Sequence, residues 1–153
     1  MTPVANRIVD HLHSRIVAIV GDVEVKPTSS ALVMPNSMTK MVRVEVSDDV
    51  REPELDTMGA QGAVGMSLEV DVVVFARASE HSSLEARTLN ADITTMLLKD
   101  HGVITTDDGI RYRAEHAGDD QETDGDGATE ITVIRTQFSA LYRHRRDNPA
   151  IAA

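Results

Sequence analysis

The chain has no cysteine and no tryptophan among its 153 residues. No disulfide or thiolate metal site can form, which is compatible with a reducing compartment. Aromatic side chains are scarce, with two Tyr and two Phe making up 3% of the chain. Stacking platforms for bases or sugars are therefore poorly supplied, and the core must be built from Val, Ile, Leu, Met and Ala. Positive charge is also short: 15 Lys and Arg face 25 Asp and Glu, a net charge of −10 at pH 7. Such a balance repels polyanions and argues against nucleic-acid binding. No long apolar run occurs. The opening "MTPVANRIVDHLHSRIVAIV" is broken by Arg7, Asp10 and Arg15, so it reads as neither a signal peptide nor a membrane span. A cytoplasmic product with no membrane partner is expected.

What is present reads as one α+β domain, since a chain of this length buries about 68–70% of its unfolded surface in a single core. Thr2 and Pro3 resemble a helix start, and Val4, Ile8, Leu12, Ile16 and Ile19 recur near helical spacing. The stretch from Gly21 to Lys40 reads mostly as loop, with "DVEV" as a short strand. "MVRVEVS" alternates as a half-buried strand does. Residues 48–65 hold five acidic residues, one proline and three glycines without periodicity, and are expected to form a long polar loop between the central strands, mobile in the free protein. In "SLEVDVVVFARAS" the residues Leu68, Val70, Val72, Val74 and Ala76 share one face, and Glu69, Asp71, Val73, Phe75 and Arg77 the other. A helix follows, with Ser82 and Glu85 at capping-box spacing. Its apolar face is Ala86, Leu89, Ile93, Met96 and Leu97, and Gly102 is its stop. Gly109 to Glu115 and Thr129 to His144 read as two closing strands around an acidic hairpin loop. The order predicts a mixed, mostly antiparallel sheet covered by two α-helices, spanning residues 1–146, with 147–153 as a loose tail.

Motifs that carry chemistry are missing. "GAQGAVG" precedes a strand instead of opening a helix, the wrong place for a dinucleotide turn, and no nucleophile elbow, P-loop or metalloprotease signature occurs. Asp120, Glu122, Asp124, Gly125 and Asp126 approach a calcium loop, but Ile131 stands where the bidentate Glu is required, so the segment reads as a charged hairpin tip. His11 and His13, two apart on a helix, point away from each other. No catalytic residue, metal site or cofactor is expected. The junction between the "SLEVDVVVFA" strand and the following helix reads as scaffold.

Several passages together carry a resemblance: the N-terminal amphipathic helix, "MVRVEV", "LEVDVVVFARAS" leading into "LEARTLNADITTML", and the closing "ITVIRTQFSALYR". The pattern, from Val4 to Arg146, resembles the tail terminator or tail completion proteins of long-tailed phages and gene transfer agents. The resemblance implies a small α+β protomer that forms a hexameric ring, caps the tail tube, stops its polymerisation and presents a surface to the head-tail connector protein. It implies a structural virion protein at the head-proximal end of the tail, and brings no catalytic residues. The chain departs from shorter members in the long "HAGDDQETDGDGATE" tip. A head-tail joining or neck protein, or an unrelated small enzyme or ligand-binding domain, is the alternative.

Two sets of contact residues follow. Leu84, Ala91 and Leu98 form a second apolar line on the helix, expected to meet a neighbouring subunit. Arg143, Arg145 and Arg146, together with Asp48, Asp49, Glu52, Glu54 and Asp56, are expected to dock the tail tube protein or the connector. The stretch from Glu115 to Glu130 holds seven acidic residues and no Lys or Arg, so the molecule is expected to be electrically two-ended.

Overall fold

A computed structural model describes residues 2–21, 23–25, 39–57, 62–78, 81–125 and 129–153. The fold is α+β. Among the described residues the elements run α1 (Val4–Val20), β1 (Val23–Val25), β2 (Lys40–Arg51), β3 (Ala63–Ala78), α2 (Ser82–Leu98), β4 (Val103–Thr105), β5 (Arg111–Gly125), β6 (Glu130–Arg145) and β7 (Asn148–Ala152). They build one seven-stranded sheet in the order β1-β2-β3-β6-β5-β4, with β7 pairing β6. The β1–β2 pair is parallel and the remaining pairs are antiparallel.

Alternation along β3 decides the layering. Leu68, Val70, Val72, Val74 and Ala76 join Val42 and Val44 of β2 and Ile134, Phe138 and Ala140 of β6 in the main core. Val4, Ile8, Leu12 and Ile16 of α1 and Ala86, Leu89, Ile93 and Leu97 of α2 close over the same residues. The apolar spacing of both helices is thus explained by one sheet face. Ile19, expected in the stripe, is 40% exposed, because it lies on the last turn of α1. Arg15 is exposed.

The opposite face carries Met41, Val73 and Phe75 as a small apolar cluster with Val133 packed against it. Beyond it lie charges. Arg135 Nη1 donates to Glu45 Oε2 at 3.0 Å and to Asp71 Oδ2 at 2.9 Å. One step along β3, Glu69 accepts from Ser67 Oγ at 2.8 Å and from Ser139 Oγ at 3.0 Å.

Four expectations are corrected. The loop expected over residues 48–65 is shorter, because β2 continues to Arg51, paired with Met66, and β3 begins at Ala63. Between them Pro53–Leu55 forms a 3₁₀ turn. It is pinned: Gly65 N–H donates to Asp56 Oδ1 at 2.7 Å, and Glu52 N–H to Gly65 O at 2.8 Å. A Cβ at Gly65 would stand 2.3 Å from Leu55 Cβ, so only glycine lets the turn lie this close. Residues 58–61 lie outside the described set.

The acidic hairpin loop is instead strand, since β5 runs to Gly125 and pairs β6 from Arg113 onward, with one bulge at Ala117. Only 126–128 at its tip, including Asp126 of the calcium-like pattern, lie outside the described residues. The loose tail is also strand, because β7 bonds to β6 and Arg7 Nη2 donates to Ala150 O at 2.6 Å. Finally, the capping box does not form. His81, at φ 63°, is the N-cap of α2. Ser82 N–H donates to Glu130 Oε1 at 2.8 Å, and Ser82 Oγ bonds Thr132 Oγ1 at 2.8 Å. A carboxylate from β6 takes the place expected for Glu85. Its acceptance of the Ser82 amide holds the Glu130 carboxyl below its ordinary pKa.

Candidate functional site

Several chemistry-bearing side chains inside the fold are occupied as ties. His11 Nδ1 lies 3.1 Å from Tyr112 Oη, and burial, then Arg15, keeps its ring below the usual imidazole pKa. Under α2, Thr136 Oγ1 lies 2.8 Å from Asn90 Oδ1 and 2.7 Å from Asp119 Oδ1, and Asp119 meets His116 Nε2 at 3.1 Å. The threonine side chain is fully buried between Asp119 and Asn90, where it ties β5 and α2 to β6. Partial burial raises the Asp119 pKa, but the hydrogen bonds from Thr136 and His116 outweigh it and the net shift is downward. Among the described residues no group of three or more His, Cys, Asp or Glu could hold a metal ion. No described helix is long and apolar enough to cross a membrane.

Exposed charges gather at the two ends of the charged sheet face. At one end Arg111, Arg113 and Arg143 line a cleft of about 350 Å³ with Leu55, Leu141 and Tyr142. Strand pairing assembles it. Arg113 stands opposite Leu141 and Arg143 opposite Gly65, so alternation brings Arg111, Arg113 and Arg143 to one face. Arg113 Nη2 donates to Glu115. Arg111 and Arg143 are exposed and form no ion pair among the described residues. A neighbouring cleft is lined by Arg143, Arg145 and Thr57. The sequence pointed to Arg143, Arg145 and Arg146 but missed Arg111 and Arg113. The signal was "RYR", whose two-residue spacing puts both arginines on one side of a strand.

The expected acidic docking residues lie at this same end, and most are spoken for. Asp49 Oδ2 accepts from Tyr142 Oη at 2.8 Å. Burial raises the Asp49 pKa, and burial also raises that of Tyr142. Asp56 binds the Gly65 amide and Arg51 Nη2, at 2.6 Å for the latter, and both lower its pKa. Asp48 Oδ1 accepts from the Asp49 amide. Glu52 is half-buried and Glu54 exposed. Arg145 Nη2 meets Asp147 at 3.1 Å, and the Arg146 amide donates to Gly62 O at 3.0 Å.

The apolar line on α2 is not continuous. Leu84 is 64% exposed and Ala91 is exposed, but Leu98 packs against the main core.

No family model matches the chain, and no curated protein matches it by sequence.

Proposed function

We propose that the protein is a structural virion component that closes the end of a phage-type tail tube. In this reading one domain that includes β7, its two helices covering one sheet face, is the protomer of a hexameric ring. The ring ends tube polymerisation and offers the head-tail connector a surface. The observation that supports it most is the placement of exposed charge. Asp119, Thr136 and His116 are tied together beside the helices, while Arg111 and Arg143 stand exposed without an ion pair among the described residues at one end of the uncovered face, and Asp120, Glu122 and Asp124 stand exposed toward the other. Such a division suits recognition of large partners more than turnover of a small substrate. The fold order and the resemblance of "LEVDVVVFARAS" and "ITVIRTQFSALYR" to tail terminators give the reading its particular form.

The test is tube growth. Adding the purified protein to polymerising tail tube protein should shorten the tubes and leave rings at their ends in electron micrographs. Tubes of unchanged length with bare ends would refute the proposal.

A further inference from the structure

The charged face changes sign along a single strand. Arg111 and Arg113 begin β5, and Asp120, Glu122 and Asp124 follow on the same face, opposite Arg135, Val133 and Ile131 of β6. These three carboxylates are exposed and make no ion pair or hydrogen bond among the described residues. β4 pairs only Arg111, Tyr112 and Arg113, so from Ala114 outward no described strand covers the outer edge of β5. This half of β5 is therefore held to β6 on one side and presents an acidic, uncovered edge on the other, and the opposite end of the same face is an arginine-lined cleft of about 350 Å³.

We infer that the acidic half of β5 in one copy seats against the Arg111–Arg143 cleft of a second copy. The arm cannot reach its own cleft. Glu122 lies nine residues from Arg113 along a strand bonded to β6 throughout, a separation of about 30 Å at ~3.3 Å per residue. Donor and acceptor surfaces sit at opposite ends of the protomer, so the contact is head to tail and repeats around a closed ring or along a filament. Direct edge-to-edge sheet pairing is the competing arrangement. It is disfavoured because β2's outer half carries Asp48 and Asp49 and would oppose the acids of β5. At the cleft, nearby carboxylates of Asp49, Asp56 and Asp147 are engaged by Tyr142, Gly65 and Arg145, leaving Arg111 and Arg143 for an incoming anion. Leu55 and Leu141 give the cleft an apolar floor beside those charges.

This inference deepens the ring reading and rests on it. Two charge-reversed variants test it, R111E/R143E and D120R/E122R. Each alone should assemble about 100-fold more weakly than the unaltered protein, as expected for like charges opposed at a contact. Mixing the two should restore a complex, which also shows that both are folded, and that complex should weaken as salt is raised. If both variants assemble as well as the unaltered protein, the arm-and-cleft contact is wrong and the ring reading stands. If the unaltered protein is monomeric at every concentration, both fall.

Discussion

The two faces of the sheet are made from the same strands and do different work. Under the helices β3 contributes Leu68, Val70, Val72 and Val74, all at most 2% exposed, to a core that both helices share. One residue out of phase, the same strand contributes Glu69 and Asp71 to charged ties, and β5 adds an arginine cleft at one end and an acidic arm at the other. The covered face accounts for stability, and the recognition proposed above rests on the open one. Burial of branched apolar side chains drives folding in proportion to area. A charge on an open face contributes little to stability but carries long-range direction.

The comparison is broken most forcefully from the covered side. Phe138, 4% exposed, lies in the main core on the helix-covered face, and Phe138→Ala should cost about 3–5 kcal/mol by urea denaturation, because transfer and cavity losses add. Reversing Arg111 and Arg143 should leave the urea midpoint of the dissociated protomer, measured at high salt, almost unmoved. Next comes Arg135, whose side chain is 34% exposed while those of Glu45 and Asp71 are 9% and 13%. Arg135→Met removes the cation shared by two acids. It should cost about 2 kcal/mol, less than the ~3–5 kcal/mol of a fully buried pair because solvent reaches the guanidinium. Adding Glu45→Gln and Asp71→Asn should return most of the loss, since the stranded charges are then gone.

Smaller effects sharpen the boundary between the faces. Tyr142→Phe deletes one hydrogen bond and should cost about 1 kcal/mol near neutral pH. Asp49 has its folded pKa raised by burial, and the Tyr142 hydroxyl opposes that rise. The lost bond therefore matters only while Asp49 is ionised, and the difference between Tyr142→Phe and the parent should close as pH falls through that raised pKa. Glu130 behaves oppositely to Asp49. Its folded pKa is depressed by the Ser82 amide, so its contribution is present above the ordinary carboxylate pKa and fades as pH falls through the folded value. Glu130→Gln should lower the thermal midpoint slightly at neutral pH and not at all in acid.

How much could be read from the sequence followed from how regular each element is. The two faces of β3 were legible because its alternation is unbroken from Leu68 to Arg77. β2 was legible only to Val46, because a bulge at Ser47 shifts the register and turns the following alternation over. A second bulge at Ala117, in a segment rich in Gly and Asp, disguised the outer half of β5 as a turn. β7 hid behind Pro149 and small residues, as edge strands do. The helix α2 was legible from its apolar spacing, but not its start, since Glu130 lies 48 residues from Ser82. The arginine end was half visible: Arg143 to Arg146 stand together in the chain, whereas Arg111 and Arg113 join them only through strand pairing.

If the uncovered, two-signed face joins identical copies in a closed ring, the ring should be seen in solution. The mass of the unaltered protein in dilute, low-salt solution, measured by light scattering behind size exclusion, tests it most directly. A ring of six gives a single species near six times the 16.6 kDa protomer, dissociating as salt rises. A species of 16.6 kDa at every concentration and salt would contradict it.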